Sequence, residues 1–263
     1  MAEAAKKIQT SYPYWMSMYV GLTGGAGQRK TGTTPAATTD VRLLGGQTNL
    51  STSKVRVADF GSTRYGESGP LQMQTDVALV TMFGKRDGAH PIKYWGGRYL
   101  HRSGQKLRAE VLNVGGESGG YLVFVGRPER GNRQQIDEPE GRPQEYIVVS
   151  AGLDGTAEKT TQGISVGGFD HDLLFTGALT DMAAASIGIR IVDHAGAPWC
   201  DPNSYVPLWA VAGRASGDVP CLRWPVSYFL PRGEYIQVGF QNALAADTPE
   251  SNGTVTFEAV RLS

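Results

Sequence analysis

Two short motifs of the sequence place histidine beside acidic residues, a combination that can bind a divalent metal ion or transfer protons. The motifs FDHDLLF and VDHAGAPW contain these groups: Asp170, His171, Asp172, Asp193 and His194. Successive residues of a strand point to opposite faces, so the five groups would not all converge. Asp-His-Ala-Gly is also typical of a turn after a strand such as IGIRIV. We therefore predict structural roles for these residues and no metal site.

The glycine-rich stretch GLTGGAGQRKTG, residues 21–32, invites comparison with phosphate-binding loops. A P-loop needs glycine directly before its Lys-Ser/Thr pair, but Arg29 occupies that position here. The dinucleotide fingerprint also fails, because no third glycine follows Gly25 and Gly27 at the required spacing. We predict a mobile or partner-contacting loop, and no cofactor.

The cysteines give no sign of nucleophilic catalysis. The only two, Cys200 and Cys221, have neither an activating histidine nor zinc-site spacing. A chain made in a reducing compartment is expected to keep both as free thiols, although a disulfide between them stays open. Paired carboxylates of the glycosidase kind depend on the fold, so the sequence leaves them open. We predict that the protein is not an enzyme.

Aromatic residues offer one further binding chemistry, a platform for sugar rings. Tyrosine and tryptophan serve equally well in a core or at a subunit contact, and we favour those roles. The residues concerned are Tyr12, Tyr14, Trp15, Tyr94, Trp95, Trp199, Trp209 and Trp224.

The composition limits the class of partner. The 263 residues are 40% hydrophobic, enough for a substantial core, and 25 basic residues balance 25 acidic ones. A protein that neutralises many phosphates needs excess basic charge, so we expect no direct binding of nucleic acid. No segment approaches the length of apolar sequence that spans a membrane, and the first residues lack the apolar core of a secretory signal. We therefore expect synthesis in the cytoplasm.

The elements that must carry these residues are strands. Glycine, proline or a β-branched residue interrupts nearly every helical pattern, while alternating runs such as KLRAEVLN, YLVFVG and YIQVGF are frequent. The 35 glycines and 14 prolines suit many turns between short strands. We predict an all-β protein with two tandem antiparallel β-sandwich domains of jelly-roll type.

A repeated line indicates the two domains. The segment YLHRSGQKLRAEVLN, residues 99–113, aligns without a gap on YFLPRGEYIQVGFQN, residues 228–242. GYLVF follows the first copy and GTVTF the second, while VALVTMFGKRDGAHP and ASIGIRIVDHAGAP stand before them as a further matched pair. A repeat on this scale predicts two similar domains.

The predicted boundaries follow from this repeat. Residues 1–54 form an N-terminal arm and the first strands, and residues 55–127 a first domain that strands from 1–54 complete. Residues 128–144 are a charged linker, and residues 145–263 form the second domain. Part of 1–54 reads as a long loop, and this region is alternatively an extended arm that reaches a neighbouring subunit.

The residues that we single out are architectural. Gly104 and Gly233 are predicted at the paired turns, with Pro231 setting up the second turn. Asn113 and Asn242 are predicted to end the strands that follow.

The second half also resembles a known group of proteins. HDLLFTGALTDMAAASIGIRIVDHAGAPW, then YVPLWAVAG, LRWPVSYFLPRGEYIQVGFQN and GTVTFEAVRL, resemble jelly-roll virion structural proteins of bacteriophages. The resemblance covers residues 146–263, with an echo at 55–127, and its motifs encode strand ends and turns. It implies a tandem jelly-roll capsid or capsid-associated protein, located in the virion, that forms homo-oligomers, with a trimer favoured, and contacts other virion proteins.

Two alternatives remain at this point. One is a tail, collar or head–tail connector component. The other, of a different class, is a carbohydrate-binding or glycan-cleaving β-sandwich, which predicts a cleft with clustered aromatic residues and carboxylates.

Overall fold

The computed structural model describes residues 11–60, 75–86, 91–95, 99–129, 138–153, 160, 163–182, 187–214, 221–242 and 252–262. Strands dominate these residues, and most of their pairings are antiparallel. The prediction of an all-β, antiparallel sandwich protein is confirmed.

The elements of the first half of the chain are β1 Tyr14–Val20, β2 Arg29–Thr33, β3 Val41–Thr48, β4 Lys54–Phe60, β5 Val77–Ala78, α1 Leu79–Met82, β6 Gly84–Lys85, β7 Lys93–Tyr94, β8 Leu100–His101, β9 Lys106–Leu112 and β10 Gly120–Pro128. Those of the second half are β11 Gln144–Gly152, β12 Ile164–Gly167, β13 Leu173–Thr180, β14 Gly188–Val192, β15 Val206–Pro207, a 3-10 helix Leu208–Ala210, β16 Gly213–Arg214, β17 Leu222–Leu230, β18 Tyr235–Gln241 and β19 Asn252–Arg261.

Alternation of apolar and polar residues explains why these segments are strands. In β9, Leu107, Ala109 and Val111 are buried while the residues between them are at least partly exposed. In β18, Ile236 and Val238 are buried in the same way. One face of each strand therefore joins a core, and the other faces outward.

The first half contains two sheets. The larger has the order β1-β10-β3, with β6 parallel to β3 at one end and β7 and β8 antiparallel to β3. The smaller has the order β2-β9-β4-β5. The stretch expected to be a long loop thus contains β2, and residues 14–48 supply three strands of this half.

The second half repeats this arrangement. Its larger sheet has the order β11-β19-β13, with β16 parallel and β17 antiparallel to β13, and its smaller sheet has the order β12-β18-β14-β15. In each half the first and last long strands are neighbours, as in a jelly roll. Within the described residues, every strand pairing joins two strands of the same half. The exact domain boundaries stay a prediction.

Individual hydrogen bonds are repeated as well. Thr48 Oγ1 donates to the carbonyl of Tyr121 at 2.9 Å, and Thr180 Oγ1 donates to the carbonyl of Thr254 at 2.7 Å. Both hydroxyls also accept a backbone N–H from the residue two positions later. The threonines therefore occupy equivalent positions, at the ends of β3 and β13.

The structure corrects one part of the predicted repeat. VALVTMFGK, residues 77–85, forms β5, α1 and β6, and its counterpart is VPLWAVAGR, residues 206–214, which forms β15, the 3-10 helix and β16. ASIGIRIV instead contains β14, the counterpart of β4. The true pairs share the spacing that separates Tyr99 from Tyr228, and they include Val77 with Val206, Leu79 with Leu208, Gly84 with Gly213 and Trp95 with Trp224.

Close strand packing requires glycine at one repeated position. A Cβ atom on Gly45 would lie 2.3 Å from the carbonyl oxygen of Lys93, and one on Gly177 would lie 2.5 Å from that of Leu222. Both contacts are shorter than any side chain tolerates, so these glycines let β7 and β17 pair with β3 and β13.

Candidate functional site

The predicted turn glycines occupy matching places. Gly104 and Gly233 lie just before β9 and β18, with φ of 80° and 75°. The N–H of Gly104 donates to Ala37 O at 2.7 Å, and that of Gly233 to Phe169 O at 2.9 Å. Pro231 opens the second turn and accepts the N–H of Glu234 at 3.1 Å.

The two predicted asparagines follow directly after β9 and β18, and both are buried. Asn113 donates from Nδ2 to Glu117 O at 2.8 Å and accepts the N–H of Gly116 at Oδ1. Asn242 donates from Nδ2 to Leu153 O at 3.3 Å. Each amide therefore ties a strand end to a neighbouring segment.

The acidic and histidine motifs lie in separate surroundings. The His171 ring lies 2.5 Å from Asp170 Oδ1 and 2.9 Å from Glu145 Oε1. Asp172 accepts the N–H of Arg232 at 2.7 Å, which fixes the turn before β18.

The second motif forms a turn. Asp193 Oδ1 accepts the N–H groups of Ala195 and Ala197 at 2.9 and 2.6 Å, while the His194 ring contacts the Tyr228 hydroxyl. In the described part of the chain, no cluster of His, Cys, Asp and Glu side chains forms a metal site.

Both cysteines are free thiols in environments that oppose ionisation. Burial raises the pKa of Cys200 to about 12. Burial, followed by the hydrogen bond from its Sγ to Glu258 Oε2 at 2.8 Å, raises the pKa of Cys221 to about 12 as well. Thiolate is the nucleophilic form, so neither thiol is activated near neutral pH.

The outward face of the smaller sheet in the first half is charged. Arg29 pairs with Asp76 at 2.7 Å, and Arg56 pairs with Glu110 at 2.6 Å. The hydrogen bond from Arg29 holds the pKa of Asp76 below its usual range. A face with paired charges of both signs is typical of a surface exposed to water.

The outward face of the larger sheet in the first half is different, because it packs against the second half through aromatic rings. The Trp15 ring of β1 lies 6.0 Å from that of Trp199 and 5.9 Å from that of Trp224, between centroids. Tyr12 stacks on Trp199 at 6.2 Å, and Trp199 meets Tyr228 at 4.8 Å. All five residues are buried. We call this contact the joint.

Hydrogen bonds fix the position of the joint. The N–H of Trp15 donates to Trp199 O at 2.8 Å, and Gln47 Nε2 donates to Ala210 O at 3.0 Å. Trp15 and Gln47 lie on the same face, because they are opposite Val125 and Val123 of β10. Ala210 belongs to the 3-10 helix after β15, so a sheet face of the first half meets an edge of the second.

Sequence reasoning placed these aromatic residues in a core or a subunit contact without bringing them together. The repeat spacing makes Trp95 and Trp224 equivalent, but it does not place Trp224 beside Trp15. The indole N–H groups of Trp95 and Trp224 make the same bond, to Met82 O at 2.6 Å and Val211 O at 2.8 Å.

No protein-family model matches this sequence, and no curated protein sequence matches it. Among solved structures, the chain is similar to N-glycanase F (PNGase F), with a TM-score of 0.23 and 11% identity over 95% of each chain. It is also similar to the infectious bursal disease virus Gx strain structure, with a TM-score of 0.22 and 10% identity over 99% of this chain and 74% of the other. The VP2 subviral particle of that virus gives a TM-score of 0.20 and 8% identity over 99% of this chain and 74% of the other. Similarity this low carries no argument about function.

In the described residues, no helix is long and apolar enough to cross a membrane.

Proposed function

We propose that this chain is a structural protein of a bacteriophage particle, which acts by self-association of its β-sandwiches as part of the capsid. The joint is the observation that carries this proposal. In it, one half of the protein contacts the other half through buried aromatic rings and two hydrogen bonds. A unit that docks on its own duplicate has the surface that an assembly requires.

Other features support the same function. The balanced charge gives no general attraction to a nucleic acid genome. Both thiols are un-ionised near neutral pH. The resemblance of residues 146–263 to jelly-roll virion proteins adds the location, the virion, and a trimer as the favoured assembly, with other virion proteins as further partners.

The glycan-binding alternative requires exposed aromatic residues beside carboxylates. Tyr12, Trp15, Trp199 and Trp224, which were candidates for such a platform, are instead buried in the joint. We therefore favour a non-enzymatic role.

The mass of the purified chain in solution tests the proposal, measured by size-exclusion chromatography with light scattering over a range of concentrations. We expect a trimer. A larger closed ring would favour a collar or connector, and a monomer at every concentration would contradict self-association. A glycan array and release of sugar from a glycoprotein, run on the same sample, test the alternative.

A further inference from the structure

The strand register assigns an equivalent in the second half to every residue of the joint face. Thr48 is opposite Leu122 of β10, and its counterpart Thr180 is opposite Val255 of β19. Val125 and Glu258, three residues further along these strands, are therefore equivalent. Their partners across the next strand pair, Trp15 of β1 and Tyr146 of β11, are then equivalent too.

The same register makes Val148 the equivalent of Ser17, and Leu179 the equivalent of Gln47. The second half thus presents Tyr146, Val148 and Leu179 where the first half presents its joint face. We call these three residues the β11 face.

The joint face of the first half is buried, whereas the β11 face of the second half is exposed. Trp15 is 1% exposed, because the second half covers it, whereas Tyr146 is 60% exposed and Val148 is 61% exposed. Large apolar side chains at this exposure, on the outward side of a sheet, are typical of a surface that a partner covers.

Part of the edge that binds the joint face, the short helix and the tryptophan that follows it, is also duplicated. At the repeat spacing, Trp209 corresponds to Val80, Ala210 to Thr81 and Trp224 to Trp95. The equivalence is structural, since α1 and the 3-10 helix both precede a short strand parallel to β3 or β13.

This second edge is exposed as well. Trp209, which precedes Ala210 of the joint, is 7% exposed, but Val80 is 45% exposed and Tyr94, beside Trp95, is 56% exposed. We call Val80, Thr81, Tyr94 and Trp95 the β5–β7 edge. Within the described residues, the equivalents of Trp15, Trp209 and Ala210 are therefore exposed, whereas Trp15 and Trp209 themselves are buried.

We propose that the β11 face of one molecule docks on the β5–β7 edge of a second copy of this chain, and so reproduces the joint between molecules. This inference rests on the proposed function, and it identifies the surfaces through which the molecules would associate. We choose a second copy as the partner because the equivalent face and edge already bind each other within one chain. Since face and edge are different surfaces, the contact is head-to-tail, and it either closes into a ring or extends as a filament.

The register predicts which residues meet across this contact. Gln47 Nε2 lies 3.0 Å from Ala210 O within the chain, so the equivalents Leu179 and Thr81 should approach each other between molecules. Two variants, Leu179→Cys and Thr81→Cys, are prepared separately and then mixed under mild oxidation.

We expect a covalent dimer in the mixture on a non-reducing gel. Each variant alone, and the unchanged chain with Cys200 and Cys221, serve as controls and should give much less. Absence of the dimer from a mixture that is oligomeric by light scattering would overturn the proposed contact while leaving self-association intact.

A charge introduced on either surface gives a second test. We expect Tyr146→Lys and Val80→Lys each to reduce the oligomer to monomer at concentrations where the unchanged chain is assembled. Tyr235→Lys is the matched control, because Tyr235 is 52% exposed but lies on β18 of the other sheet. Thermal melting confirms that all three variants fold.

The outcomes separate the two claims. If the unchanged chain is oligomeric and all three lysine variants keep its mass, the β11 face and the β5–β7 edge are not the contact. If the unchanged chain is a monomer at every concentration, both the contact and the proposed function are wrong.

Discussion

At the scale of single residues, the backbone conformation of Gly104 and Gly233 matters more than the space around them. Both have φ in the left-handed region, and a Cβ atom on either would meet no atom within 4 Å. A side chain would fit, but an L-residue in this conformation is strained. Substitutions at these two positions therefore measure the cost of the backbone conformation, without a clash between the new side chain and its neighbours.

We predict that Gly233→Ala lowers the free energy of unfolding by about 1 kcal/mol, through the cost of placing a Cβ in the left-handed region. Gly152→Ala is the control, since Gly152 also has open space around its Cβ direction but no positive φ. Urea denaturation measures both. Equal unfolding midpoints for the two variants would show that the turn before β18 does not need glycine.

These turns were predictable because their chemistry is local. Tyr, Gly and Asn recur at fixed positions in residues 99–113 and 228–242, and strand ends and turns followed from them. The roles of Asp193 and Asp172 as acceptors for turn N–H groups agree with the expectation that these motifs are structural.

At the scale of elements, the repeated helix-and-strand unit is held to its sheet by a tryptophan. Trp95 and Trp224 each donate an indole N–H to a carbonyl at the end of the short helix or just after it. The two bonds differ in surroundings, since the bond of Trp224 is buried and that of Trp95 is partly buried. Water can therefore replace the hydrogen bond of Trp95 more easily than that of Trp224.

We predict that Trp224→Phe costs about 1 to 3 kcal/mol of stability, because it leaves the buried carbonyl of Val211 without its donor, and that Trp95→Phe costs less. Trp209→Phe is the matched control: its indole N–H is buried and makes no hydrogen bond within the described residues, so little should be lost. Chemical denaturation of the three variants gives the order. A Trp209→Phe cost equal to that of Trp224→Phe would attribute the effect to ring size and not to the hydrogen bond.

Sequence alone misaligned this unit for an identifiable reason. VALVTMFGKRDGAHP and ASIGIRIVDHAGAP look alike, since both are apolar runs closed by a glycine turn. The true partner, VPLWAVAGR, has a different composition and is found only when one spacing is held constant from Val77 to Asn113. A constant spacing identifies the elements that occupy equivalent places in the two halves. A similar composition does not identify them.

At the scale of the whole molecule, the joint couples the two halves mechanically. Trp15 belongs to a sheet of the first half, but its ring is surrounded by Trp199 and Trp224 of the second half. We expect its removal to weaken the contact between the halves and to leave the packing inside each half unchanged.

We predict that Trp15→Ala destabilises the protein by about 3 to 5 kcal/mol and separates its thermal unfolding into two transitions. Phe83→Ala is the control, because Phe83 packs on Phe124 and Trp95 within the first half. That variant should lose comparable stability without uncoupling the second half. Differential scanning calorimetry measures both, and a single cooperative transition in Trp15→Ala would mean that the joint is not what couples the halves.

The joint could not be predicted from the sequence, although Trp15, Trp199 and Trp224 were among the aromatic candidates. Trp15, Trp199 and Trp224 are far apart in the chain, and no local pattern states that a sheet face of one half meets an edge of the other. Burial alone does not identify it, because core and joint residues are equally inaccessible.

A covalent tether changes how such a contact responds to dilution. Two separate sandwiches would associate only above their dissociation constant, whereas halves on one chain meet at an effective concentration on the order of millimolar. The joint around Trp15 and Gln47 is therefore expected to form as each chain folds, whatever the protein concentration. Only the contacts between molecules would then depend on the concentration of the protein.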